Sequence, residues 1–345
     1  MQATRRTPQS PSNALPAGVA AHRQTPSCFI GIDVAKDELV IAKRDGAHAE
    51  HGACTITNQP QAITRWLQTL PAGSAIAMES TGRYHQSAAH LARVAGFAVY
   101  VLNAKDVHYY ARALGSRGKT DRLDAQVIAR YIAEHHSELH TWSEPSGAQQ
   151  TISELLSRRA LLAKEQDRLR KALAGITLPG KAREQLLAQF DACMRCIDEQ
   201  VSKQVAKDAQ MSQACARLRT VTGIGQQIST LLANLLGRIE FANADALVAY
   251  CGLDPRPNDS GKHKGTRRIT KRGPALLRRQ MWLAGFAASK SKVFGPFYRS
   301  LRARGLSTTE AFMILGRKIL RIAFAVWKSG QPFDASRLAP LAIPV

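Results

Sequence analysis

The sequence predicts an α/β domain followed by two helical regions, and three observations carry that prediction. Short β-rich runs alternate with helical stretches between residues 28 and 140. From about 148 the strand signals stop and apolar residues recur at spacings of three and four. Beyond 214 the chain stays helical while its basic charge concentrates. At 345 residues and 45% apolar content, the chain is about two domains long and can bury real cores.

Residues 1–27 are expected to form a disordered tail. Arg5 and Arg6 are followed by Pro8, Pro11 and Pro16, which interrupt the continuous apolar segment that a secretory signal needs. Cys28 to Ile32 and Leu39 to Lys43 are β-rich runs split by a polar turn, and Cys54 to Thr57 offers a third strand. Ala62 to Leu70 is helical, Ser74 to Met78 is a small-residue apolar strand, Tyr84 to Val94 is helical, and Phe97 to Leu102 is a fifth strand. Two more helices follow, over about 105–114 and 121–135. Three leading strands and then alternating helices and strands describe a mixed sheet covered by helices, in ribonuclease-H-like order, over residues 28–147.

The stretch 148–212 is Leu-, Ala-, Arg- and Gln-rich. Leu155, Leu162, Leu169 and Ile176 repeat every seven residues; after Leu178-Pro179-Gly180 a second seam runs through Leu187, Phe190, Met194, Ile197 and Val201. This is a coiled-coil pattern on both sides of a turn. A helical hairpin within one chain would bury those seams, and so would pairing with another subunit. Residues 213–335 form a third, mainly helical region, with a short tail over 336–345. There Val221-Thr222-Gly223-Ile224-Gly225, followed by Ile228, Leu231 and Leu232, resembles a helix-hairpin-helix element, with Gly223 and Gly225 bringing backbone N–H groups close to a phosphate. A glycine break used only for packing has the same sequence.

Forty-eight Lys and Arg against 26 Asp and Glu, a net charge of +22, create a field that attracts polyanions, and nucleic acid is the natural partner. No apolar run reaches membrane-spanning length, and no basic amphipathic helix ends at a lipid anchor motif. Cys28, Cys54, Cys193, Cys196, Cys215 and Cys251 are scattered as expected of reduced thiols in a cytosol, and the single Cys193-x-x-Cys196 pair lacks the second half of a zinc site.

Against that basic background four acids stand out. Asp33 ends the strand Phe29-Ile30-Gly31-Ile32-Asp33, Glu79 ends Ala75-Ile76-Ala77-Met78-Glu79, and Asp121 and Asp124 lie three apart on one face of a helix. Phosphoryl chemistry needs several converging carboxylates to hold divalent ions, and all-oxygen ligation selects Mg²⁺ or Mn²⁺. Each acid alone has a structural explanation: Asp33 would cap the turn before Lys36, and Asp121 with Asp124 would favour a helix N-terminus. Jointly they fall on separate elements in the order this fold uses, and four clustered acids repel one another without a cation. Asp106, also at a helix start, is the nearest competitor.

The second informative stretch runs from Asp254 to Gly273. Pro and Gly make it a loop, and Arg256, Lys262, Lys264, Arg267, Arg268, Lys271 and Arg272 make it a phosphate binder, continued by Arg278 and Arg279 on the next helix. Ser260 sits in Asp259-Ser260-Gly261, with His263 close by as a base or as another phosphate contact.

Taken in order, Gly31-Ile32-Asp33-Val34-Ala35-Lys36, Glu79-Ser80-Thr81-Gly82, Lys119-Thr120-Asp121-Arg122-Leu123-Asp124-Ala125, Gly223-Ile224-Gly225, Tyr250-Cys251-Gly252-Leu253-Asp254-Pro255 and Ser260-Gly261 through Arg278 resemble insertion-sequence transposases of the IS110 family. The resemblance covers about residues 28–335. It implies a RuvC-like domain, a coiled-coil middle and a C-terminal transposase domain with a nucleophilic serine. It also implies that Asp33, Glu79, Asp121 and Asp124 bind magnesium while Ser260 attacks a DNA phosphate, with Lys119 and the basic loop contacting nucleic acid. Its implied partners are donor and target DNA and a structured guide RNA from the element itself; the two apolar seams add further copies of the chain as an expected partner, and the scattered thiols fit a bacterial cytoplasm. Two other readings fit the residues: a metal-dependent, junction-resolving nuclease in which water attacks, and a nucleic-acid-binding protein on the same scaffold without chemistry.

Overall fold

The computed structural model describes residues 26, 28–46, 49–80, 84–115, 120–176, 180–256, 259–260, 263–265 and 267–338. The expected N-terminal tail, apart from Pro26, lies outside them, as do Lys119, Gly261, Lys262 and the end of the C-terminal tail from 339. Contacts divide the chain between Trp142 and Ser143 into two compact units.

In the first unit β1 (Cys28–Val34), β2 (Glu38–Asp45), β3 (Ala49–Thr57), β4 (Ala75–Glu79) and β5 (Ala98–Leu102) form one sheet in the order β3-β2-β1-β4-β5. The first three strands are an antiparallel meander, while β4 and β5 join β1 in parallel. Helices α1 (Pro60–Leu67), α2 (His85–Val94), α3 (Ala104–Ala113) and α4 (Asp121–His135) supply the crossovers and cover. The mixed sheet with flanking helices bears out the α/β expectation.

Alternation along the strands sorts side chains onto two faces. Ile30, Ile32, Ile41, Ile76 and Met78 pack under Ile63 and Trp66 of α1 and Ala88 and Ala92 of α2. Phe29, Ala75, Ala77 and Tyr100 pack under Val107 of α3 and Val127, Ile128 and Ile132 of α4. Beside them Val40 and Ala42 meet Ala125 and Ala129.

The second unit opens with α5 (Gly147–Ala172) and α6 (Ala182–Ala206), two long helices in contact. Ser146 caps α5 through a capping box with Gln149. Arg159 bonds Asp198 at 2.7 Å and Gln166 bonds Asp191 at 2.8 Å, so position rises along one helix as it falls along the other and the hairpin is antiparallel. Its inner end is packed around Ile152, Leu156 and Val201. Farther out, Leu161, Ile176 and Leu186 remain 48%, 52% and 41% exposed.

The rest is a helical body of α7 (Ala209–Arg219), α8 (Gln226–Leu236), α9 (Ala244–Tyr250), α10 (Ala275–Ser289), α11 (Gly295–Ala303) and α12 (Thr308–Ser329). Its core runs through Leu218, Leu232, Leu247, Met281, Leu315 and Ile319. The stretch expected as a loop also carries short strands. β6 (Pro255–Arg256) pairs with β9 (Arg268–Ile269), and β7 (Asp259–Ser260) with β8 (His263–Lys264), all antiparallel.

Candidate active site

Period-two alternation places Asp33 on the face of β1 that carries Phe29 and Gly31, and Glu79 on the face of β4 that carries Ala75 and Ala77. That is the face covered by α4. Gly31 lets the helix come close: a Cβ there would lie 2.2 Å from the Ala125 carbonyl oxygen and 2.3 Å from the Ala129 nitrogen. Helix and strand therefore touch backbone to backbone. Thr120 starts the helix, its hydroxyl accepting from the Leu123 N–H at 3.3 Å, so Asp121 and Asp124 both fall in the first turn.

The result is a cluster. One carboxylate oxygen from each of Asp33, Asp121 and Asp124 can be chosen so that all three lie within 4.8 Å of one another. Asp33 and Asp124 are half-buried and Asp121 is exposed. Glu79 is half-buried at the end of the neighbouring strand, where Ile32 aligns with Met78 one residue earlier, but it is not a member of this group. Asp106, on α3, is not a member either. Carboxylates at about this spacing repel by roughly 1 kcal/mol in water and roughly 4 kcal/mol at a surface-like dielectric. A cation removes that cost, and three hard oxygen donors with no nitrogen or sulfur suit magnesium or manganese.

The serine hairpin rises from a tight foot. A Cβ on Gly252, whose φ is +65°, would meet the Gly273 nitrogen at 2.6 Å, and one on Gly273 would meet the Tyr250 carbonyl oxygen at 1.9 Å. The two ends of the hairpin thus cross with nothing between them. Thr270 donates its hydroxyl to Asp254, and its N–H donates to the Asp254 carbonyl at 3.0 Å. The register pairs Ser260 with His263 and Asp259 with Lys264. Arg256, Arg267, Arg268, Lys271 and Arg272 are exposed on the flanks.

Arg278 is half-buried and donates to the Gly273 carbonyl, and burial pulls its pKa below the usual guanidinium range. It braces the foot. Arg279 is exposed and donates to the Ala160 carbonyl at 3.3 Å. Gly223 has φ +98°, and a Cβ there would lie 2.7 Å from the Ala284 carbonyl oxygen, so it serves the packing of α10. Gly225, at the start of α8, faces open space.

Sequence reasoning missed Arg317. It lies on α12 under the influence of Asp245 and Asp254, with burial and Arg321 lowering its pKa. One arginine among the basic residues Lys318 and Arg321 of an amphipathic helix gives no signal of that setting.

Residues 30–177 match a family model described as a transposase, the DEDD transposase model of IS110, and residues 215–299 match a second, described as the transposase IS116/IS110/IS902 family. The chain belongs to the IS110 family of transposases. Pilin gene-inverting proteins of Moraxella bovis and Moraxella lacunata are each 27% identical over 322 residues, which is 89% of this chain and 97% of theirs. A protein of the insertion element IS110 in Streptomyces coelicolor is 28% identical over 120 residues, 34% of this chain and 30% of its own length. The first match spans β1 to the end of α5, and so includes all four acids. The second spans Gly223, Gly225 and the serine hairpin. This transposase is a DNA recombinase in the general sense its family defines, and its fold supplies an acidic triad of the kind a DEDD domain uses with divalent metal.

Proposed function

We propose that the protein cuts and rejoins DNA through Ser260, assisted by divalent magnesium held by Asp33, Asp121 and Asp124 with Glu79 as a fourth ligand, manganese being an alternative. The convergence of the three aspartates in a chain of this family carries the reading. Bound metal would supply charge neutralisation at the phosphate and at the oxygens that attack and leave.

The serine oxygen forms a bond to phosphorus while the bond to a sugar oxygen breaks, and the proton given up by Ser260 ends on the departing strand. The phosphoserine conserves the ester until the hydroxyl of another strand attacks it, rejoins the DNA and restores the serine. His263 stands opposite Ser260 in the hairpin register and is the nearest histidine along the chain. The exposed arginines of the hairpin hold the DNA backbone, with a salt slope near −0.9 for each phosphate neutralised.

Acids and serine belong to different units of the chain, so activity requires that they be brought together, within one subunit or between two. The exposed Leu161, Ile176 and Leu186 on the hairpin support pairing with a second copy through α5 and α6. A structured RNA encoded by the element guides the choice of DNA; family likeness and the net charge of +22 support it.

Trapping tests the chemistry. Wild type incubated with labelled donor DNA and Mg²⁺, then denatured, should yield a protein–DNA adduct that Ser260→Ala abolishes and Asp124→Asn reduces at least a hundredfold, on the order of the loss when catalytic electrostatics are removed. Cleavage that survives in Ser260→Ala would make the enzyme a nuclease using water. Copurification of an element-encoded RNA, and a sedimentation mass that falls for Leu161→Glu, test the two partners.

A further inference from the structure

Between Ala275 and Ser329 the sequence holds eleven Lys and Arg and one acid, Glu310. Within that segment α10 and α12 cross at two glycines. A Cβ on Gly285 would lie 2.1 Å from the Phe312 carbonyl oxygen, and one on Gly316 would lie 2.2 Å from the Met281 carbonyl oxygen. The close crossing brings Trp282 and Phe286, one turn apart on α10, against Phe312. Both rings meet it edge to face at 5.4 Å, inclined at 85° and 83°, and lie parallel to each other within 3° at 6.0 Å.

Phe312 thus holds two ring planes in one orientation, and the outer ring, Phe286, is still 38% exposed. Arg279 and Lys290 stand on the same helical face at either end, with the Lys290 ammonium 4.3 Å from the Phe286 ring centre. An aromatic pair between two cations is more than a solvated helix face requires. A second copy seated on the same face would bring like charges together. A polyanion that also carries flat rings fits both features.

We propose that Trp282 and Phe286 form a stacking platform for unpaired bases of a single DNA strand, with Arg279 and Lys290 taking its phosphates. A paired duplex presents edges and phosphates, and would leave the rings unused. The hydroxyls of Ser289 and Ser291 donate to the Phe286 and Ala288 carbonyls at 2.7 Å, so the face offers ring planes and charge rather than hydroxyls set aside for a ribose. The serine hairpin runs into α10 through Gly273 and Pro274, which makes a strand opened at Ser260 the natural occupant. This choice of strand rests on the recombinase reading.

The test measures binding alone. Full-length protein carrying Ser260→Ala is titrated into a labelled thymidine oligonucleotide of about 20 nucleotides, longer than one stacking site. Adding Phe286→Ala should weaken binding about tenfold, while the affinity for a duplex of the same length changes less than about twofold and Phe286→Trp restores the strand affinity. The oligonucleotide should quench tryptophan fluorescence, and Trp282→Phe should remove most of that quench; this decides the matter if Phe286→Ala fails to fold by circular dichroism. Unchanged strand affinity in Phe286→Ala, equal losses on strand and duplex, a loss confined to RNA, or a changed oligomeric mass with binding intact would each overturn the proposal. Because the readout is binding and not cleavage, the platform and the serine chemistry fail separately.

Discussion

Gly31 and Ala125 meet with no side chain between them, and this contact sets the height of the first turn of α4 above the end of β1. Gly31→Ala places a methyl group 2.2 Å from a carbonyl oxygen, so helix or strand must move. The expected cost is roughly 2–4 kcal/mol, at or above the usual range for overpacking because the obstacle is backbone. Urea denaturation gives the cost, and adduct formation should fall more than the folded fraction does, since Asp121 and Asp124 move with the helix.

The triad predicts a divalent-dependent stability that each acid controls. In excess Mn²⁺ the wild-type melting temperature should rise, by an amount corresponding to about 2.7 kcal/mol if the ion stands at 100 times its dissociation constant. Asp124→Asn should lose that rise and melt no lower than wild type in EDTA, because it removes a repulsion rather than a contact. Scanning calorimetry with and without metal separates the two effects. A full metal response in both Asp33→Asn and Asp124→Asn would disprove a site built on these carboxylates.

The sheet was legible because its strands are apolar runs bounded by turns, and the expected starts Cys28, Leu39, Ser74 and Phe97 all fall within a residue of an observed strand start. β3 starts five residues before the expected Cys54. Ala49 to Gly52 are weak strand formers, placed there by pairing with β2 through a register shift between Ile41 and Lys43. The order Asp33, Asp121, Asp124 was legible as chemistry, but their approach depends on Gly31, which any strand pattern would tolerate. The hairpin around Ser260 hid in a Pro- and Gly-rich stretch because two-residue strands leave no periodicity. The seams of α5 and α6 were plain, yet an apolar repeat reads the same where it is packed, at Leu155 and Val201, and where it is bare, at Ile176.

Glu134 on α4 gives the first unit a pH signature at both extremes. Its carboxylate accepts from Arg130 at 2.9 Å and from the Tyr110 hydroxyl at 2.5 Å, which hold it below its ordinary value of 4.5. A lowered acid stabilises the fold above its unfolded value and loses that contribution as pH falls through the folded one. Burial first, and then Glu134, pushes Tyr110 from 10.0 up to about 12, so its contribution is complete below pH 10 and is lost as pH rises toward 12. With the Glu134 side chain 44% exposed, Glu134→Gln should cost no more than about 1 kcal/mol at neutral pH and flatten the acid limb of the melting-temperature profile. Tyr110→Phe should flatten the alkaline limb. Profiles parallel to wild type at both ends would leave this network without weight.

The cysteines should divide evenly. Cys54, Cys193 and Cys196 are exposed and should react with a chromogenic disulfide in the native protein, whereas Cys28, Cys215 and Cys251 are buried and should react only after denaturation. Burial raises all three buried thiols, Cys251 up to about 12, which lowers the thiolate population as well as access. Cys251 adjoins Gly252 at the foot of the serine hairpin, so its labelling rate reports how often that foot opens. Native labelling of Cys251 as fast as that of Cys193 would mean the crossing of Gly252 and Gly273 does not hold in solution.

Gly223 and Gly225 answer to different demands, and charge at the second separates them. Gly223→Ala adds a methyl group 2.7 Å from the Ala284 carbonyl oxygen at a φ of +98°, and should destabilise the second unit by roughly 2–4 kcal/mol through packing and strain. Gly225 precedes α8 with φ −90° and ψ −173°, open space around it, and no side chain capping the helix. Aspartate suits that position, because its carboxylate accepts from the free N–H groups of the first turn and opposes the helix dipole, which should raise stability by about 0.5–1 kcal/mol. The same carboxylate occupies the ground a phosphate would take. If α8 points its N-terminus at nucleic acid, Gly225→Asp makes the protein more stable and weakens its DNA binding severalfold, a pairing of signs that damage to the fold cannot produce. Equal DNA affinity in the stabilised variant would assign this turn to packing alone.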